Sequence, residues 1–152
     1  FIKEHLQIDM SYCVRISNFV GYMLSEAKRI GFKKILLAGH IGKFIKISAG
    51  IFNTHSKVCD ARNEIMISNL ALMGAPLEFL KEINECVTAE GAVEIIDKSE
   101  YTDIYNILCD KCKQRAKQYL HNEVEVEFYM FRMDKSLLGK SQRADLLMEE
   151  FR

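Results

Sequence analysis

A chain of 152 residues, 49% of them hydrophobic and 28% charged, has the material for one well-buried core and is too short for two comfortable ones, so a single domain is expected. Its 21 basic residues balance 21 acidic ones, which removes the long-range field that draws a protein to nucleic acid or to an anionic membrane; any anion has to be held locally. No apolar stretch reaches the roughly 18 residues of a membrane span, and five scattered cysteines suit free thiols in a reducing compartment, which makes the cytoplasm the expected location.

The opening FIKEHLQIDM begins at Phe1 without a cap, a turn signal or the basic n-region of a signal peptide, and it reads as a segment cut from a longer protein. Cys13-Val14-Arg15-Ile16 is β-prone, and Ser17-Asn18 behind it supplies side-chain oxygens that can cap a helix. From Phe19 to Ile30 the apolar residues recur at helical spacing until Gly31 ends the run. Ile35-Leu36-Leu37-Ala38 is a continuous apolar run of strand length, the pattern of a parallel central strand covered on both faces. These three elements predict a βαβ unit, and hence an α/β, Rossmann-like open sheet with flanking helices.

A helix is expected from Ile41 to Ala49, then a polar loop at Asn53-Thr54-His55-Ser56. Helices follow at about Asp60 to Met73 and Leu77 to Val87, split by Gly74-Ala75-Pro76, where proline forbids continuation. Thr88 with Glu90 and Gly91 caps a short helix running to Asp97, and the longest helix covers about Tyr101 to His121. Val124, Val126, Phe128 and Met130 alternate with Glu125 and Glu127, which predicts a half-exposed C-terminal strand. A turn at Asp134-Lys135 leads to Leu137-Leu138 and a terminal amphipathic helix through Leu146 and Leu147.

Four features could carry chemistry. Gly39-His40-Ile41-Gly42-Lys43 stands where a buried strand gives way to a helix, the carboxyl edge at which open α/β sheets bind ligands. Glycines there permit close backbone approach, and a helix opening with Lys43 and Lys46 nearby suits an anion; the plain alternative is a tight turn with a solvated lysine. Phe44 after Lys43 rules out a Walker A loop, and no G-x-G-x-x-G is present. Asn53 to Ser56 puts four hydrogen-bonding side chains in one loop, or is an ordinary Asx turn, and no dense Cys/His spacing points to a metal site. Cys109 and Cys112 fall mid-helix on the apolar stripe and read as core thiols. Ser17 to Gly21 is a second strand-to-helix turn whose helix opening could lie beside that of Gly39 to Lys43 and share its ligand.

In this order the pieces ISNFVG, KKILLAGHIGKFIKISAGIFNTHSKVCDAR and VEVEFYMF resemble the cobalt-precorrin-5B C1-methyltransferase family, often called CbiD; Ser17 to Arg62 carries the likeness, and from Glu64 onward it is looser. The resemblance implies methyl transfer from S-adenosylmethionine to C1 of a cobalt-containing tetrapyrrole, giving cobalt-precorrin-6A. It also implies an N-terminal domain before this one and a substrate fringed with carboxylates; the balanced charge, separately, leads to an expectation of no nucleic-acid or membrane partner. A homodimer stays open. The positions that match the family's motifs are Ser17, Asn18, Gly21, Gly39, His40, Gly42, Lys43, Asn53, Thr54, His55, Ser56, Asp60 and Arg62, with His40 and His55 as the candidates for moving a proton. Cys59 stands where the family has a small residue, which argues against a catalytic thiol. The rival readings are a non-catalytic anion- or nucleotide-binding regulatory domain, and a structural domain whose cysteine-lined helix packs on a partner.

Overall fold

The computed structural model describes residues 1–151. Helix α1 (Val20–Arg29) buries Val20 and Leu24 and stops where Gly31 takes φ 101°, a conformation that a side chain would strain. Strand β1 (Lys34–His40) follows, then α2 (Ile41–Ile47), α3 (Arg62–Leu72) and α4 (Leu77–Asn84), the last beginning at Pro76, whose fixed φ of −69° suits a helix entry. Helix α5 (Ala89–Ile96) is capped by Thr88, whose hydroxyl accepts the Gly91 N–H at 3.1 Å, as the sequence predicts. Helix α6 (Ile104–Tyr119), strands β2 (Glu125–Phe131) and β3 (Leu137–Lys140) and helix α7 (Ala144–Glu149) complete the chain.

The sheet is small and mixed, in the order β1-β2-β3, with β1 parallel to β2 and β3 antiparallel to it. This corrects three expectations. Cys13 to Ile16 forms no strand: Val14 is 81% exposed, and the Cys13 N–H turns back to the Met10 carbonyl at 3.1 Å instead of joining a ladder. A β-prone tetrapeptide becomes a strand only where an edge and a half-buried face await it. The parallel pair is therefore β1 with β2, joined through α2 to α6, and β1 lies at the sheet's edge while β2 is central; parallel character is confined to that one pair. Finally, β2 is not half-exposed, because Glu127 is fully buried along with Val126, Phe128 and Met130.

The register sets Leu37 against Phe128 and Gly39 against Met130 on one face, where Phe44 of α2 and Leu108, Cys109 and Cys112 of α6 build the main core. Gly39 allows this: a Cβ there would stand 2.2 Å from the Phe44 ring. On the other face Leu36, Ala38 and Tyr129 pack with Leu6, Ile8 and the α7 residues Ala144 and Met148. Between Met130 and Phe131 the β2–β3 register shifts, leaving Leu138 as the extra residue of a bulge beside the start of α6. Among the described residues no helix is long and apolar enough to cross a membrane.

Candidate functional site

The sequence-predicted residues divide into two groups at either end of α2. At its beginning, His40 caps the helix with its own ring: Nδ1 accepts the Gly42 N–H at 3.0 Å. The neutral ring therefore carries its proton on Nε2, which lies 2.7 Å from Glu90 Oε1, an oxygen that also accepts the Met133 N–H at 2.9 Å. The Gly42 amide is thus already engaged, and α2 is a seven-residue helix with little dipole to offer. Lys43 is exposed at its first turn.

At the other end, the loop after α2 is tied to the entry of α1. Phe19 and Asn53 form an isolated antiparallel bridge, the Gly21 N–H donates to the Phe52 carbonyl at 3.1 Å, and Thr54 donates its N–H to the Asn18 carbonyl at 3.0 Å. The Ser17–Gly21 turn therefore adjoins Asn53 and Thr54, not Gly39 to Lys43. Gly21 has no room for a side chain, since a Cβ would meet Phe52 and the Tyr119 hydroxyl at 2.9 Å. Asn18 is no helix cap either; Phe19 occupies that position without a side-chain bond, and the Asn18 amide oxygen faces the Thr54 hydroxyl at 3.4 Å.

Within the loop, Asn53 Oδ1 accepts the His55 N–H at 3.2 Å, and His55 Nδ1 accepts the Lys57 N–H at 3.1 Å, so the neutral His55 ring presents Nε2–H outward. His55, Ser56 and Ser17 are exposed while Thr54 is buried. Beneath them Lys46 is 3% exposed; its ammonium donates to the Thr54 carbonyl at 2.9 Å, and among the described residues no carboxylate pairs with it. Arg62 clasps Asp60 through Nε at 2.6 Å and Nη2 at 3.0 Å, which holds the Asp60 carboxyl below its usual range. Neither histidine offers a free basic lone pair in this arrangement, because each commits Nδ1 to a backbone amide.

A third group was not legible as a site in the sequence. Where β2 ends, Arg132 extends its guanidinium to Asp97, and the Tyr105 hydroxyl donates to the other Asp97 oxygen at 2.9 Å. Burial, and then the Asp97 carboxylate, push the Tyr105 phenol well above its ordinary value. These residues, with Thr102, Asp103, Asn106, Leu137 and Leu138, line a cavity of about 350 Å³. His40 faces Phe131 in the β1–β2 register, so the His40–Glu90 pair and the Asp97–Arg132 pair share the carboxyl edge of the parallel strands. The positional rule that singles out Gly39 after β1 applies equally to Arg132 after β2; Tyr105, by contrast, is hidden on the apolar stripe of α6.

Residues 53–142 match the family described as CbiD, C-terminal domain. A cobalt-precorrin-5B C(1)-methyltransferase of Clostridioides difficile is 64% identical over 99% of this chain and 38% of that protein. Proteins of the same name from Listeria welshimeri and Citrobacter koseri are 44% and 42% identical, each over 99% of this chain and over 41% and 40% of their own lengths. The chain thus spans about two fifths of the curated relatives it matches. No solved structure matches it.

Proposed function

The chain belongs to the CbiD family, and from that premise we propose that it serves S-adenosylmethionine-dependent methylation of cobalt-precorrin-5B at C1, giving cobalt-precorrin-6A in anaerobic cobalamin biosynthesis. The observation that supports this most is the 64% identity, across 99% of the chain, to a protein named for that reaction. Since the chain spans 38% of that relative, the activity is proposed for the longer polypeptide, in which an N-terminal domain works with this one.

S-adenosylmethionine supplies, when bound, an electrophilic methyl group on a sulfonium that is already a good leaving group. The work left to this chain is to bind, orient and exclude water, effects that account for roughly 7–11 kcal/mol of barrier in well-oriented systems. Cationic groups suit the macrocycle's carboxylates. Lys46 is a buried ammonium held by the Thr54 carbonyl, so the loop from Asn53 to Ser56 lies over one fixed positive charge, while Arg62 is paired with Asp60 at the start of α3. Asn18, Asn53, Ser56 and the His55 Nε2–H add neutral hydrogen bonds, and Lys43 adds an exposed charge at the edge of the sheet. In this reading His55 orients the ligand as a donor, His40 is held between the Gly42 amide and Glu90 at the start of α2, and no protein nucleophile takes part.

The longer polypeptide, given cobalt-precorrin-5B and S-adenosylmethionine, is expected to yield a product heavier by one methyl group, located at C1 by NMR; absence of methylated product overturns the reading. Lys43→Ala is expected to raise KM for the tetrapyrrole about fivefold, the worth of an exposed charge contact of about 1 kcal/mol, with kcat within about twofold. An unchanged KM removes Lys43 from the binding surface.

A further inference from the structure

We infer that the cavity at the end of β2 is built for a hydroxyl-bearing organic cation, the adenosyl sulfonium under the methyltransferase reading on which this rests, and that it turns phosphate esters away. Its volume of about 350 Å³ falls in the size range of small-molecule sites, and it opens at the carboxyl edge of the parallel pair, beside a β-bulge. Its charged lining is Asp97 and Asp103 against the single guanidinium of Arg132, two negative groups against one positive. A sulfonium gains from that balance, whereas a phosphate finds Arg132 already paired with Asp97 and a lining that is negative on balance.

Hydrogen bonding points the same way. Asp97 is clamped on one oxygen by Arg132 and on the other by the Tyr105 hydroxyl, so its orientation is fixed while each oxygen keeps a lone pair for a ribose hydroxyl. Arg132 Nε is the only buried side-chain nitrogen or oxygen among the described residues without a hydrogen-bond partner. An N–H left in that state is costly, and a small rotation of the guanidinium plane would let it meet an acceptor on a ligand in the cavity. Leu137 and Leu138 give an apolar strip against which a purine can lie.

Calorimetric titration of this chain with S-adenosylmethionine, S-adenosylhomocysteine and ATP tests the inference without a turnover assay. S-adenosylmethionine is expected to bind, S-adenosylhomocysteine to bind more weakly because it lacks the sulfonium charge, ATP to give no heat at the same concentrations, and Asp103→Asn to weaken S-adenosylmethionine at least fivefold. Thr102→Trp places a bulky ring at an exposed position on the cavity's rim and is expected to abolish binding, with circular dichroism checking that the fold is kept. Unchanged affinity in both variants overturns the assignment of the cavity while leaving the methyltransferase reading in place. Tighter binding of ATP, or no binding of S-adenosylmethionine to the unaltered chain, likewise overturns the assignment of the cavity, while the methyltransferase reading is decided by the turnover assay on the longer polypeptide.

Discussion

Replacing Glu127 by alanine is expected to lower the free energy of unfolding by about 3–5 kcal/mol, a fall in Tm of roughly 6–20 °C for a chain of this size. Glu127 is fully buried, and its carboxylate is the hub of three elements. One oxygen accepts Lys113 of α6 at 2.5 Å; the other takes the Ser141 hydroxyl and the Arg143 N–H, the latter at 3.3 Å. Ser141 in turn is bound to the Phe128 backbone, receiving its N–H at 2.8 Å and giving its own N–H to the Phe128 carbonyl at 2.9 Å. Removing the carboxylate strands the Lys113 ammonium, 19% exposed, beside a void with no counter-charge. The cost is that of an orphaned buried charge, not of the pair's attraction, so Glu127→Met with Lys113→Met should recover most of it. Urea midpoints at constant m-value measure both effects. A single variant within 1 kcal/mol of the parent would mean that water reaches the pair.

The same residue marks the limit of what alternation reveals. Glu125 and Glu127 between apolar neighbours have the pattern of a wet strand face, and Glu125 keeps part of its exposure. For Glu127 the deciding facts are Lys113, fourteen residues earlier, and Ser141, fourteen later, and no local period encodes either. Where the cause is local, the reading succeeds: Gly31 ends α1, Pro76 opens α4, and Thr88 caps α5. Cys13 to Ile16 fails for the converse reason. Its β-propensity is real, but a ladder needs a free partner, and the Cys13 amide finds one in Met10 instead.

The candidate site divides along similar lines. Motif residues are legible one at a time, while their grouping depends on where the ends of α2 point. Ser17 to Gly21 was expected beside Gly39 to Lys43; the bridge from Phe19 to Asn53 sends it to the opposite end of that helix. This follows from the missing first strand, since without it the α1 opening has no sheet edge to share with β1. Lys46, read only as an added charge, becomes the buried support of the Asn53–Ser56 loop because it lies on the core face of α2, between Ile45 and Ile47.

Stability is expected to fall steeply in alkaline solution, by about 4 kcal/mol between pH 8 and pH 10, through the two thiols of α6. Cys109 and Cys112 are both fully buried, and Cys112 donates its S–H to the Phe44 carbonyl at 3.1 Å. Burial is the largest cause raising both thiols above their ordinary range, far enough that the folded chain keeps both protons where the unfolded chain has released them. Their contribution is therefore complete below the unfolded cysteine value of about 8.5 and drains away above it, at about 1.4 kcal/mol per thiol and pH unit, until the folded thiols themselves ionise. Tyr105, also raised, adds to the loss only above about pH 10. The double variant Cys109→Ala, Cys112→Ala starts from lower stability because it leaves two small cavities, yet its urea midpoint should change little between the two pH values. If parent and variant lose stability in parallel, the alkaline sensitivity lies elsewhere. If they diverge, the C-x-x-C spacing is a packing feature of α6 and not a redox pair, because a thiol that keeps its proton at pH 10 is a poor nucleophile at pH 7.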